Sequence, residues 1–155
     1  MLILKLGNNL FVTEKGDIWS YETRVGKIHK GRIIEFGQFS RTTTKHMNLI
    51  TSLTKFPKSS NSDWAKSLKF LKLPMGHKHP GRFSTSQCLS QDLSLELVRG
   101  MGQDNFLDFV LENIGKIKTK RDRDLVREYA TRKGMISEVF DYYVSVHQAL
   151  ILETA

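Results

Sequence analysis

The chain has a single cysteine and no long apolar segment, and each shortage excludes a class of protein. Cys88 has no second thiol with which to form an intrachain disulfide, so a disulfide scaffold is excluded and a reducing, cytoplasmic compartment is expected. No stretch approaches the roughly 18 apolar residues that a membrane-spanning helix needs. The apolar start, Met1 to Leu6, lacks a basic region and a cleavage site, so it predicts a β-strand rather than a signal peptide.

The short motifs that mark common enzyme classes are also missing. The sequence contains neither a phosphate-cradling glycine loop nor a Gly-x-Ser-x-Gly nucleophile elbow. Cys88 has no base near it in sequence, and we expect it to be a small buried hydrophobic residue rather than a nucleophile. These absences favour a protein that is not an enzyme and that needs no cofactor.

Acidic residues are nearly absent from the middle third of the chain. Between Arg41 and Cys88 there are nine Lys/Arg and one acid, Asp63, which gives this segment a net charge of +8, equal to that of the whole chain. The flanking segments nearly cancel, with net charges of +2 and −2. Such a block repels itself unless an anion lies against it, and nucleic acid is the commonest polyanion in a cell. The charge pattern therefore predicts nucleic acid as the partner.

What is present suffices for a folded core, with 39% apolar residues and fifteen aromatic ones. Three turn signals, Gly7–Asn9, Lys15–Asp17 and Lys30–Gly31, separate runs of β-forming residues over residues 1–40. They predict an antiparallel meander of four strands, the third running from Ile18 to His29 with a bulge or an earlier strand end at Gly26.

Helical patterns follow the predicted sheet. We expect a threonine of residues 42–44 to cap a helix reaching Lys55, and Ser62 to cap a short basic helix over residues 63–71. Beyond a Gly/Pro/His loop, helices are predicted at residues 92–99, 104–114, 120–133 (capped by Thr119) and 137–152. The fold class is therefore α+β. We expect a sheet-plus-helix module (1–56), a basic helix and loop (57–88) and a C-terminal helical bundle (89–155), packed as one compact unit.

Aromatic rings interleaved with cations on the predicted sheet are the combination that single-stranded nucleic acid needs, because rings stack on bases and cations follow phosphates. Trp19, Tyr21 and Trp64 are the stacking candidates, and core packing is the alternative for the first two. The cations expected to contact phosphates are Arg24, Lys27, Lys30, Arg32, Arg41, Lys45, Lys55, Lys58, Lys66, Lys69, Lys72, Lys78 and Arg82. Their alternative is an ordinary solvated surface. The acidic helical end is expected to pack or to form a homo-oligomer.

Two further sites are weaker. His77 and His79 are candidate metal ligands, and a metal-dependent nuclease at that loop is a third functional hypothesis, but structural zinc takes four ligands and Mg²⁺ prefers carboxylates. A helix-turn-helix over residues 125–147 is disfavoured, because the helix from Ser137 begins with acids and no Arg or Lys to contact bases.

Two patterns in the first third carry a resemblance to known proteins. Ser20-Tyr21-Glu22-Thr23-Arg24-Val25, followed by Ser40-Arg41-Thr42-Thr43-Thr44-Lys45-His46-Met47-Asn48, resembles a short bacteriophage module of unknown function over about residues 10–55. The resemblance implies a viral origin and life inside a host cell, and it transfers no activity. Four strands followed by a helix are also similar in outline to single-stranded-DNA-binding domains of the transcriptional-coactivator and whirly type. A module that binds a host or anti-viral defence protein is the alternative function.

Overall fold

The computed structural model describes residues 2–21, 23–35, 41–60, 87–103 and 105–154. The seven-stranded sheet is an antiparallel meander with a short parallel strand at each edge. The antiparallel meander consists of β1 (Ile3–Gly7), β2 (Leu10–Thr13), β3 (Asp17–Ser20), β4 (Thr23–His29) and β5 (Arg32–Glu35). The two flanking strands are β6 (Lys58–Ser60), beside β5, and β7 (Cys88–Leu89), beside β1. The strand order is therefore β6-β5-β4-β3-β2-β1-β7.

One helix lies between β5 and β6, and the rest follow the sheet. They are α1 (Arg41–Thr54), α2 (Gln91–Val98), α3 (Phe106–Glu112), a 3₁₀ turn (Ile114–Lys116), α4 (Lys120–Arg132) and α5 (Ser137–Thr154). The predicted α+β class is confirmed. Within the described residues, no helix is long and apolar enough to cross a membrane. The predicted basic helix at residues 63–71 lies outside the described residues.

The segment predicted as the third strand is in fact two strands. Ser20 pairs with Thr23, so the chain reverses through a connection of only two residues, Tyr21 and Glu22. The sequence analysis missed this turn because neither residue is the Gly, Asn or Asp that two-residue hairpin turns prefer. Because Tyr21 lies in this turn, it does not share a strand face with Trp19.

A bulge at Gly26 is confirmed. Ile18 pairs with Gly26 whereas Trp19 pairs with Arg24, so Val25 is the extra residue on β4. A Cβ on Gly26 would lie 2.6 Å from the backbone oxygen of Ile34, so only glycine fits there.

Helices α1 and α2 cover one face of the sheet. Alternation along β1 turns Leu4 to this face and Ile3 to the other. Met47 and Ile50 of α1 are buried in the same cluster as Leu4. Each such Leu, Ile or Met side chain stabilises the fold by about 1.5–3 kcal/mol. A second buried cluster on the opposite face consists of Ile3, Phe11, Trp19 and Cys88.

The start of α4 is fixed by a cap and by a buried carboxylate. The Thr119 hydroxyl accepts a hydrogen bond from the Asp122 N–H at 3.2 Å, which confirms the predicted cap. The Asp122 carboxylate is buried and accepts hydrogen bonds from the backbone N–H and the hydroxyl of Ser90, at 2.9 and 2.5 Å. These contacts tie α4 to the residue that precedes α2.

Candidate nucleic-acid interface

The outer side of α1 presents a row of polar and basic residues. Its inner side buries Met47 and Ile50 against the sheet. The exposed residues recur at alternating spacings of four and three, which keeps them on one stripe of a helix. They are Arg41, Lys45, Asn48, Ser52 and Lys55, the last of which immediately follows the helix. We call these five residues the α1 stripe.

The cations of the α1 stripe lie in a segment without acidic residues. No Asp or Glu occurs from residue 41 to residue 60. Within the described parts of the chain, Arg41, Lys45 and Lys55 form no ion pair. Lys58 differs, because its Nζ lies 3.1 Å from Glu35 Oε1 and 3.1 Å from Asn48 Oδ1. Among the residues that the structure describes, three positive charges of the stripe therefore have no acidic partner, whereas Lys58 is paired with Glu35.

An exposed aromatic ring lies beside this helix. Tyr21 is 47% exposed, and its ring centroid lies 6.2 Å from that of His46, the residue after Lys45. His46 is held in place by Ser20, whose Oγ lies 2.8 Å from Nδ1 of the imidazole. Burial lowers the pKa of His46, so this ring adds little positive charge at neutral pH. Tyr21 therefore lies beside the half of α1 that carries Arg41 and Lys45.

The backbone at Tyr21 is strained. Its φ is +57°, a left-handed conformation that costs a residue with a side chain roughly 1–2 kcal/mol. The Tyr21 N–H donates to the Asn9 carbonyl at 2.7 Å, which helps to hold the turn. Glycine or asparagine would adopt this conformation more cheaply. Strain that a cheaper residue would relieve is common at functional positions.

The structure corrects the roles expected for Arg24 and Trp19. The Arg24 side chain is only 2% exposed, and its Nε and Nη2 lie 3.0 and 2.9 Å from Oδ1 of Asp17. Trp19 is 5% exposed in the cluster with Ile3 and Phe11, so it is a core residue. Neither side chain is accessible to a strand of nucleic acid. Lys27 is also mostly buried, with its Nζ 3.5 Å from Asp17 Oδ1.

Lys30 and Arg32 are exposed but lie in a different place from the α1 stripe. Ile33 faces the core beneath α1, so alternation along β5 turns Arg32 to the opposite face of the sheet. Lys30 borders an open groove of about 700 Å³ between the β2–β3 turn, β4 and the loop after α2. Burial, then the charges of Lys30 and Lys27, lower the pKa of His29 in this groove. The predicted cations of the first module therefore form two groups rather than one surface.

Other predicted site residues lie outside the described residues. They are Trp64, Lys66, Lys69, Lys72, His77, Lys78, His79 and Arg82. Among the residues that are described, no group of three His, Cys, Asp or Glu side chains is arranged to hold a metal ion. Cys88 is buried, and burial raises the pKa of its thiol, which disfavours the reactive thiolate.

The two sequence patterns behind the phage resemblance meet at this site. Ser20 from the first pattern contacts two residues of the second, with its Oγ 2.8 Å from His46 Nδ1 and 3.4 Å from Thr43 Oγ1. Sequence analysis did not find this contact, although both patterns had been noticed, because spacing along the chain does not show which residues meet. The polar side chains of the two patterns thus join the β3–β4 turn to α1.

Comparison with curated proteins and comparison with solved structures each found no match. A protein-family model does match the N-terminal part of the chain, which holds most of the meander, α1 and β6. The resemblance to a module of unknown function is thereby confirmed, over a longer segment than the sequence patterns covered. Residues 5–66 match the family of unknown function designated DUF8033.

Proposed function

We propose that this protein binds nucleic acid without catalysing a reaction, mainly through phosphate contacts, and that it prefers single strands. The observation that carries the proposal is the α1 stripe, with three cations that no carboxylate of the described residues neutralises. Lys and Arg side chains that neutralise phosphates release condensed counterions, which drives binding without reference to sequence. The binding cations of the described residues are therefore Arg41, Lys45 and Lys55.

The preference for single strands rests on Tyr21. Its ring is half exposed beside His46, at the end of α1 that carries Arg41 and Lys45. A stacked base contributes roughly 1–3 kcal/mol, and only an unpaired strand offers a base face to such a ring. The single cysteine and the phage resemblance support a place of action in the cytoplasm, which is the host's if the protein is viral.

Fluorescence polarisation with a labelled 20-nucleotide single strand, and with its duplex, tests the proposal. Changing Arg41, Lys45 and Lys55 together to Gln should weaken binding to the single strand by at least about tenfold. A matched control changes Lys118, Lys120 and Arg121 to Gln, which removes the same charge from exposed positions near the start of α4. The control should keep most of the affinity.

The possible outcomes separate the proposal from its rival. Equal losses in the two triple variants would mean that only overall charge matters, and the α1 stripe would not be the interface. If the wild-type chain binds neither oligonucleotide at low salt, nucleic acid is not the partner. An acidic surface on a host or defence protein would then be the ligand to seek in a pull-down, with the Arg41/Lys45/Lys55 variant as the negative control. Salt alone does not separate the two partners, since it weakens both kinds of contact.

A further inference from the structure

Helix α5 buries one side and exposes apolar residues along another. Phe140 and Val144 are buried in the core, and this anchors the helix to the body of the protein. On a neighbouring stripe, large apolar side chains are exposed to solvent. They are Ile136 (65%), Val139 (41%), Tyr143 (42%) and Val146 (37%), which we call the α5 seam. Ile136 precedes the helix and its carbonyl accepts from the Val139 N–H at 3.0 Å, so it continues the same stripe.

The spacing of the α5 seam suits pairing with an identical helix. Its residues follow one another at intervals of three, four and three, the spacing of the a and d positions of a coiled coil. The order of intervals is the same in both directions, so an antiparallel, two-fold pairing brings every seam residue opposite another. Ile136 would face Val146 of a second copy, and Val139 would face Tyr143. Such self-matching is what a two-fold symmetric interface requires.

Charge also favours the α5 seam, rather than a basic part of the surface, as the place where two copies meet. The whole chain carries +8, so two copies repel each other where basic residues would meet. The α5 seam and its exposed neighbour Tyr142 contain no Lys, Arg, Asp or Glu. The nearby Asp141 pairs with Arg127 of α4, with Oδ2 and Nη2 3.1 Å apart. Two seams can therefore meet without like charges in their centre.

The exposed area reaches the lower bound for a dimer. From the exposed fractions, the α5 seam and Tyr142 offer on the order of 500 Å² per copy, so a symmetric pair buries about 1,000 Å², the lower bound for a specific interface. We propose that two copies of this chain pair through the α5 seam, with their α5 helices antiparallel. The pairing is independent of the proposed nucleic-acid binding.

Sedimentation equilibrium of the full chain, treated with nuclease and held at 1 M salt, tests the dimer without any nucleic-acid contact. The expected mass is twice 17.8 kDa, and high salt should not weaken the pair, since its interface is apolar. Val139→Asp should raise the dimer dissociation constant at least about tenfold, because it buries a charge without a partner. Ser145→Asp, on an exposed side of α5 outside the seam, should leave it unchanged.

Circular dichroism shows whether each variant folds. Ile136→Asp gives a second test at the most exposed position of the seam, where substitution disturbs the core least. A wild-type chain that stays monomeric at about 100 μM would overturn the proposal. A dimer that survives both aspartate substitutions in folded protein would overturn it as well, since the contact would lie elsewhere.

Discussion

The strained turn at Tyr21 allows its backbone and its ring to be tested separately. Tyr21→Ala and Tyr21→Gly both remove the ring that lies beside His46. Only glycine also relieves the backbone, whose φ at this position is +57°. The two variants should therefore bind nucleic acid equally but differ in stability.

The expected stability difference follows from two opposing effects. Alanine in the left-handed conformation costs roughly 1–2 kcal/mol, which glycine avoids. Glycine lowers the free energy of unfolding by about 0.4–1 kcal/mol relative to alanine, because it gives the unfolded chain more conformational freedom. The Tyr21→Gly variant should thus have a free energy of unfolding roughly 0.5–1 kcal/mol above that of Tyr21→Ala. At a position with ordinary backbone angles the order is reversed, with alanine the more stable.

Urea denaturation measures the stability difference, and polarisation with the labelled single strand measures binding. Loss of one stacked base should weaken binding about 5- to 150-fold in both variants. Tyr142→Ala is the matched control for nucleic-acid binding, since this tyrosine is 70% exposed on α5 and does not belong to the proposed nucleic-acid interface. An alanine variant at least as stable as the glycine variant would refute the strained turn. Unchanged binding in both variants would refute stacking by Tyr21.

Three further predictions concern the fold. Gly26→Ala should lower the free energy of unfolding by about 1–3 kcal/mol, measured by urea denaturation, because its Cβ would press on the Ile34 backbone oxygen. Asp122→Ala should cost about 2–4 kcal/mol in the same assay, because both hydrogen bonds to Ser90 are lost; a smaller loss would mean that Ser90 finds other partners. Burial raises the pKa of Tyr129 to about 12, so its phenol, followed by ultraviolet absorbance, should lose its proton at a higher pH than an ordinary tyrosine. The stability that the neutral phenol contributes should be complete below about pH 10 and lost as the pH rises through about 12.

Local signals predicted much of the fold. The turns at residues 7–9, 15–17 and 30–31 each carry Gly, Asn or Asp, and the structure reverses the chain at all three. Thr119 was recognised as a cap from its residue type and its place before a helical pattern. The turn at Tyr21 could not be found in this way, because it is held by pairing of the strands on either side and by the bond to Asn9 rather than by turn residues.

The candidate site was harder to predict than the fold. Arg24 was expected to be exposed, but the short connections on either side of β3 bring Asp17 within 3.0 Å of its guanidinium. Alternation along β3 and β4 shows which residues share a face but not which face is buried, so sequence alone left Trp19 open between base stacking and core packing. Arg41 and Lys45 could be singled out from sequence because no Asp or Glu occurs from residue 41 to residue 60, and neither forms an ion pair with another described residue. Their contact with phosphate stays a prediction.

The salt dependence of binding tests the central claim most directly, because the slope of log affinity against log salt concentration counts the phosphates that are neutralised. For single strands each contact contributes about 0.7 to the slope. The variant with Arg41, Lys45 and Lys55 changed to Gln should therefore have a slope smaller in magnitude by about 2, whereas the Lys118/Lys120/Arg121 variant should match the wild type. Equal slopes in all three proteins would contradict the account, since the cations of the α1 stripe would then touch no phosphate.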